Sequence, residues 1–416
     1  MKDMLGRNEL ISVDEALELI FSSVLPKKLE EIEIPIDEAY GLVASRDVIS
    51  PEDLPDFNRS TVDGFAVNSM DTFGASENSP AYLNIFTEIK MGERPEFYLK
   101  RGFAAKIATG GMLPEGSDSV VMFEHVSEVN SSIIEISKSV SPGENVVQRG
   151  EDIKQGELVV QKGKRLRPQD VGALAGLGIT NVYVYRMPRV SIISTGDEVV
   201  PIEIKPSEGQ VRDINSYSLK GLVMEAHCLP IIKGLFKDDY ESLKDVVRES
   251  LDSSDLIIIT GGSSVGLKDL TAVIINELGK PGVIFHGVSL KPGKPTIFGM
   301  VNEVPIFGLP GHPSAVIICF KIFIEPILKF ISGVKDGQYS HNKMIRVRIA
   351  KNVSSSPGRE EHIPVIIEEA DGELWAVPLF GKSGYITTLS KADGTAIIPL
   401  RKTGVKSGDF VDVRLF

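Results

Sequence analysis

The sequence predicts a multidomain α/β and β protein. A doubly wound α/β domain is expected in the middle, β-rich segments ahead of it and a C-terminal β-barrel or sandwich behind. Three observations carry that reading. Apolar strands at residues 190–194, 256–260 and 305–308 each run into a glycine-rich or acidic turn: Thr195-Gly196-Asp197-Glu198, Gly261-Gly262-Ser263-Ser264-Val265-Gly266 and Leu309-Pro310-Gly311-His312-Pro313. Strand and helix patterns alternate from Pro188 to about Ser332, as a parallel sheet covered on both faces requires. After Ser332 the alternation gives way to short strand-like runs alone.

Taken in order, Ser12 to Val24 reads as a helix. Ser12 and Glu15 form a capping box, Val13, Ala16, Leu17, Ile20 and Val24 make one apolar face, and Pro26 ends it. Residues 1–26 are expected to pack with the α/β domain. Residues 27–50 and 143–187 read as a β-rich connector, with turn glycines at Gly150, Gly156, Gly163, Gly172, Gly176 and Gly178 and one helix near 169–176. Residues 51–142 carry short β-runs at 82–86, 105–108, 119–123 and 133–136, the pattern of a small β-rich domain. Within 188–332, Asp238 and Asp239 open a helix that keeps its spacing through Leu243, Val246, Val247 and Leu251. Pro313 suits a first helical turn, with His312 before it as a cap and a long apolar helix after it. Residues 333–416 read as strands at 345–349, 362–367, 374–379, 396–400 and 410–416, a domain of ordinary size for a barrel.

A chain of 416 residues can hold two to four cores of its own. The formal net charge of −12 argues against a nucleic-acid partner, because no basic face is available for phosphate backbones. The two cysteines, Cys228 and Cys319, lie in apolar runs without partner spacing, so they read as reduced core residues. The six histidines are scattered, which speaks against a transition-metal cluster. Met1 to Arg7 is polar with no apolar core behind it, unlike a signal peptide. The most apolar stretch, 315–331, is broken by Lys321, Glu325, Pro326 and Lys329, and falls short of the ~20 residues that span a bilayer. A soluble cytoplasmic protein is the expectation, with no membrane contact.

In a parallel sheet the three turns meet along one carboxyl edge, where open α/β sheets bind ligands. The turn from Gly261 to Gly266 can wrap an anion with backbone N–H groups and hydroxyls, although a ligand-free strand-to-helix turn has the same glycines. It lacks the Lys-Ser/Thr ending of a nucleoside-triphosphate loop and is not a dinucleotide fingerprint. Asp197, Glu198 and Asp269 place hard oxygen ligands at that edge, which suits Mg²⁺ beside a phosphate; each taken alone is equally a solvated turn carboxylate. Lys291-Pro292-Gly293-Lys294-Pro295 sets two cations on a stiff loop, as oxyanion binding would need and as an exposed turn would also show. Asn58 to Ala66 and Thr109 to Asp118 read as loops, and Asp63-Gly64 as turn chemistry. No pair among His125, His227, His286, His341 and His362 has ligand spacing, and His312 is the histidine at the predicted edge.

Together these stretches resemble the molybdopterin molybdenumtransferase family, the molybdate-insertion enzymes of molybdenum-cofactor biosynthesis to which the E-domains of gephyrin and its plant counterpart belong. The resemblance rests on Ser60-Thr-Val-Asp-Gly-Phe-Ala66, Thr109-Gly110 with Pro114 and Asp118, Gly150-Glu-Asp-Ile153, Ser194-Thr-Gly-Asp-Glu198, Gly261 to Gly266 with Asp269, Lys291 to Pro295, and Gly308 to Pro313. It implies an α/β domain that binds molybdopterin, elongated β-rich N-terminal domains and a C-terminal β-barrel. It also implies a homodimer with a shared active site, in which the Asp63 and Thr109 loops of one chain complete the sheet domain of the other.

The reaction so implied is a Mg²⁺-dependent transfer. Adenylylated molybdopterin and molybdate give molybdenum cofactor and AMP, with contact to the adenylyltransferase that makes the substrate. Asp63, Thr109, Glu198, Asp269 and Lys291 match the family's catalytic positions; Asp152, Asp238, Pro310 and Pro313 match further positions it uses. Gly261, Gly262, Ser263, Gly266, Lys294, Pro310, Pro313, Arg359 and Ser383 are expected to bind substrate, and Asp197, Glu198, Asp238 and Asp269 the metal. The chain departs from the pattern at His312, where the family most often has asparagine, at Val62, where methionine is common, and at Lys382. An adenylyltransferase acting one step earlier and a gephyrin-like dimeric scaffold are the competing readings. No residue chooses between molybdate and tungstate.

Overall fold

The computed structural model describes residues 10–25, 29–261, 265–335, 344–370, 372–381 and 385–416, and of residues 265–269 the backbone alone. Pro26, Gly262, Ser263, Ser264, His341, Lys382 and Ser383 therefore lie outside the described residues, as does the Asp269 side chain, and Gly266 is described by its backbone.

The architecture is the expected multidomain one: β-rich N-terminal regions, a central α/β unit and a closed barrel at the C-terminus. The N-terminal helix Val13–Ser23 is capped as its sequence indicates, with the Ser12 hydroxyl accepting from the Glu15 N–H and the Glu15 carboxylate accepting from the Ser12 N–H. Its buried Val13, Ala16 and Ile20 join the core of the distant sheet, packed with Val190, Ile192 and Phe323. Strands Glu31–Pro35, Val43–Ala44 and Asn181–Tyr185 form a three-stranded sheet, so residues on either side of the small β domain pair with each other. That small domain is one six-stranded sheet, with Gly64–Val67 and Phe103–Ile107 inside it.

Asp170 holds the connector's helix Pro168–Gly176 in place. It is nearly buried and accepts from Lys164 Nζ at 2.6 Å, from the Arg167 N–H at 3.0 Å and from Arg167 Nε at 3.1 Å. Burial alone would raise its pKa, but these hydrogen bonds outweigh it and hold the carboxyl down at about 2. The stabilisation is therefore complete above the unfolded carboxyl value near 4 and is lost as pH falls through about 2. Asp170→Asn should cost roughly 2 kcal/mol at pH 7. Urea melts of the two proteins should converge in strong acid, and equal midpoints at pH 7 would refute the assignment.

The central sheet has β1 (Arg189–Thr195) next to β2 (Leu229–Phe236) and β3 (Leu256–Gly261), and β3 next to β6 (Val304–Pro310), all in parallel. β4 (Pro281–His286) and β5 (Ile297–Val301) complete it, and β5 pairs antiparallel with both β4 and β6. Here the structure departs from strict strand–helix alternation. Asn302 adopts a left-handed φ of 54° and closes a tight β5–β6 hairpin, so no helix separates those strands. Alternate residues serve opposite faces. Ile192, Ile258 and Phe307 pack toward the N-terminal helix and α1 (Asn215–Glu225), whereas Ile193, Ile257, Ile259 and Ile306 pack toward α2 (Tyr240–Ser253) and α3 (Val265–Leu278). Each such fully buried side chain is worth about 1.5–3 kcal/mol.

The apolar run after Pro313 is helical but not one α-helix. An α-segment, Pro313–Cys319, passes through a π-turn at Phe320–Ile324 into Glu325–Ile331. Pro326 has no N–H for the regular ladder, which accounts for the local widening. Beyond it, five strands close into a barrel: Glu360–Ala370, Glu373–Pro378, Met344–Ile349, Phe410–Leu415 and Gly394–Ile398, the last pairing back to the first. Both cysteines are free and buried. Among the described residues no helix is long and apolar enough to cross a membrane.

Candidate functional site

The strand register aligns the three turns. Thr195 pairs with Gly261, and Gly261 with Pro310, so the ends of β1, β3 and β6 form one row across the sheet edge. A Cβ at Gly261 would stand 2.2 Å from Thr195 Cγ2 and 2.4 Å from its carbonyl oxygen, so the row closes only around glycine. Asn215, opening α1, ties it together: Nδ2 donates to Thr260 Oγ1 at 3.1 Å and to the Gly311 carbonyl at 2.9 Å. A cavity of about 280 Å³ lies above the row, lined by Thr195, Glu198, Gly261 and Pro313 and by the segment from Val211 to Asn215. Val199–Val200 pairs in parallel with Val211–Arg212, and the Val211 N–H donates to the Glu198 carbonyl at 2.8 Å, which fixes the Glu198 turn against that segment.

Acidic groups gather on one side of the row. Thr195 Oγ1 donates to Asp238 Oδ1 at 2.8 Å, and the Asp238 N–H to Asp197 Oδ1 at 3.3 Å. Burial pushes the Asp238 carboxyl above its usual range, and the charges of Asp197 and Glu198 add to that against the Thr195 hydrogen bond. Asp213 is buried and accepts from Ser194 Oγ at 3.3 Å and from the Ser216 N–H at 3.1 Å. Among the described residues no group of three or more His, Cys, Asp or Glu side chains is arranged to enclose a metal ion. Of the predicted metal set Asp197, Glu198, Asp238 and Asp269, the Asp269 side chain lies outside the described residues, and the other three are neighbouring carboxylates without a finished cage. Mg²⁺ does not need one, since it keeps waters and binds through one or two carboxylates and a substrate phosphate. Mutual repulsion among these carboxylates is what a divalent cation would relieve, so the donor set fits the ion.

A second cavity, of about 960 Å³, separates the sheet from the barrel. Lys291, Lys294, Pro310 and Arg359 line it, joined by Glu361 and His362. The lysine loop does not stand free: Leu290–Lys291 pairs in parallel with Glu360 and Glu361 of the barrel. Lys291 Nζ lies 2.7 Å from Glu361 Oε1, and Ser355 Oγ donates to Glu361 Oε2 at 2.7 Å. Gly293 has a φ of 128°, and a Cβ there would come within 2.6 Å of Cys319 Sγ, so the turn packs directly on the helix behind it. The Thr296 hydroxyl donates to the Gly293 carbonyl at 2.7 Å, and the Val288 N–H to the Lys294 carbonyl at 2.9 Å. His362, read from sequence as packing or surface, is a buried cavity residue. Its Nε2 is 2.8 Å from Glu360 Oε1 and its Nδ1 3.2 Å from Thr395 Oγ1, while burial holds its pKa below the usual value against the Glu360 charge.

Asp63 and Thr109 meet each other on the small β domain. Asp63 Oδ1 accepts from the Thr109 N–H at 2.7 Å and from Thr109 Oγ1 at 3.0 Å, and these two hydrogen bonds hold its pKa below the usual carboxylate range. Neither residue lines either cavity of its own chain. The glycine beside Asp63 is not turn chemistry, as the sequence suggested. Gly64 starts a strand, and a Cβ on it would lie 1.9 Å from the Val121 carbonyl, so it permits close strand pairing. His312 also differs from expectation: it precedes the helix without a side-chain cap bond.

The structure thus gathers Glu198, Gly261 and Pro313 at the small cavity, with Asp197 and Asp238 near Thr195, and Lys291, Lys294, Pro310 and Arg359 at the large one. Asp63 and Thr109 stand elsewhere. Sequence reading named Thr195 only within its turn and gave no functional role to Asp213, Asn215, Glu361 or His362; the polar pair Asp213 and Asn215 where a helix begins is the one signal that points at them.

Family models match three consecutive stretches of the chain. "MoeA N-terminal region (domain I and II)" matches residues 11–178, "Probable molybdopterin binding domain" 191–329 and "MoeA C-terminal region (domain IV)" 346–416. A molybdopterin molybdenumtransferase of a Nostoc species is 31% identical over 404 residues, covering 95% of this chain and 92% of its own. Two crystal structures of molybdopterin biosynthesis MoeA proteins from Pyrococcus horikoshii superpose on 98% of the chain. One has a TM-score of 0.79 at 38% identity over 99% of its own length, the other 0.83 at 30% over 100%.

Proposed function

The chain belongs to the MoeA family, and from that premise we propose that it is a molybdopterin molybdenumtransferase acting in molybdenum-cofactor biosynthesis. Its substrates in this reading are adenylylated molybdopterin and molybdate, and its products molybdenum cofactor and AMP. The observation that carries the reading is the pair of adjoining cavities, one at the carboxylate turn and one at the lysine loop. The smaller has Glu198 and Asp213 beside the strand-end row, and the larger has Lys291, Lys294 and Arg359.

The phosphate-bearing tail of the pterin nucleotide fits at the strand-end row, where Gly261 lets the backbone approach closely. One or two of the carboxylates Glu198, Asp197 and Asp238 would hold Mg²⁺, which would supply positive charge to the diphosphate linkage. Molybdate is a tetrahedral dianion, and Lys291, Lys294 and Arg359 supply cations around the larger cavity. Glu361 fixes Lys291, so the charge is in place before the oxyanion arrives. Asp63, ionised and oriented by Thr109, enters from a second chain in this reading, because its own chain keeps it away from both cavities.

The deciding assay supplies adenylylated molybdopterin and Mg²⁺ and follows AMP. Release should depend on molybdate, and Glu198→Gln should slow it roughly 100-fold. Molybdate-independent accumulation of adenylylated pterin from molybdopterin and ATP would instead mark an adenylyltransferase, and absence of either activity in a folded dimer would leave the scaffold reading. Tungstate run in parallel decides which oxyanion the site takes.

A further inference from the structure

The two cavities share only Gly311 and His312 among their lining residues. Glycine has no side chain, so His312 is the one described residue with a side chain that lines both. It is held from a fixed turn. The Gly311 carbonyl accepts from Asn215 at 2.9 Å, Pro310 and Pro313 restrict the backbone on either side, and the His312 carbonyl accepts from the Ala315 and Val316 N–H groups at 3.0 and 3.1 Å. The residue is exposed and its ring makes no capping bond, so the helix start does not consume it. A protonated imidazole carries an N–H on each of its two ring nitrogens and can donate to two oxyanions at once.

We infer that His312 is a substrate-bridging residue that couples occupancy of the two cavities, one ring nitrogen meeting an oxyanion in the larger and the other a phosphate oxygen in the smaller. The inference rests on the reading of the cavities given under Proposed function. Lysines and Arg359 set how tightly the oxyanion binds; His312 sets how much each ligand favours the other. Such coupling is reciprocal, so it is measurable from either side.

Calorimetric titration of the full chain with molybdate, with and without saturating AMP and Mg²⁺, tests this. AMP should tighten molybdate binding about tenfold, and molybdate should tighten AMP by the same factor. In His312→Ala each ligand should bind alone more weakly, by up to about tenfold, while the coupling falls to within about twofold of none. His312→Gln, which keeps a donor of similar reach, should restore part of it, and unchanged thermal melts of both variants will verify folding. Full coupling in His312→Ala, or independent binding of both ligands to the native protein, overturns the role of His312 and leaves the proposed function standing. Failure of the native protein to bind either ligand overturns the proposed function and this inference together.

Discussion

Lys291→Ala with Lys294→Ala should reduce kcat/KM for molybdate by about 10³ or more while leaving the affinity for AMP within about twofold. The expected size follows from the site's construction. In the proposed reading the oxyanion would carry two negative charges into a cavity between a sheet and a barrel, and among the described residues two of the three Lys and Arg side chains lining it come from one five-residue loop. That loop is held at both ends, by pairing of Leu290–Lys291 with the barrel and by the Thr296–Gly293 hydrogen bond, so its two ammonium groups are carried on a fixed backbone. Removing Lys291 also strips Glu361 of its ion-pair partner at 2.7 Å, which turns a neutral pair into a repulsive carboxylate. Steady-state AMP release against molybdate concentration measures the effect. A change under tenfold would show that the oxyanion binds elsewhere.

Glu361→Gln offers a check on that account. It leaves both lysines in place and removes only the fixing charge, so the loss should be smaller than for the double variant and should appear in KM.

The sheet edge was legible because its chemistry is local. Each strand and the turn that ends it are contiguous, and Gly261 and Pro310 mark where the backbone must turn closely. The capping box at Ser12 was legible for the same reason. The larger cavity was only half visible: its lysines share a loop, but Glu361 and His362 lie some seventy residues on, brought in by a two-residue strand pairing with no periodicity to announce it. Asp213 and Asn215 belong to no motif the sequence displays, and only the fold shows Asn215 spanning two strand ends. The β5–β6 hairpin was missed because Asn302-Glu303 is an unremarkable dipeptide, and its left-handed turn emerges from the pairing on both sides. Gly64 misled in the other direction, since Asp-Gly is the usual spelling of a turn and here serves close packing.

The arrangement of Asp63 makes the most demanding expectation. Asp63→Ala alone and the Lys291→Ala, Lys294→Ala double variant alone should each be nearly inactive, yet a mixture refolded together should regain activity. If the site combines one chain's lysines with the other chain's Asp63, a mixed dimer has one intact site and one doubly damaged site. Random pairing of equal amounts makes half the dimers mixed, so about a quarter of the native rate should return. This is a rise of more than 10² over either parent, and no single-chain site can produce it, because neither chain carries a complete set. The intrachain geometry motivates the experiment: Asp63 is ionised and oriented by Thr109 at 2.7 and 3.0 Å, a defined acceptor that faces neither cavity of its own chain. Mixing the folded parents without dissociating them should give no recovery, which controls for reversion and for contaminating native protein. If refolded mixtures stay as inactive as their parents while native protein carried through the same procedure regains its rate, Asp63 works within its own chain, and the small domain must then swing toward the sheet during turnover.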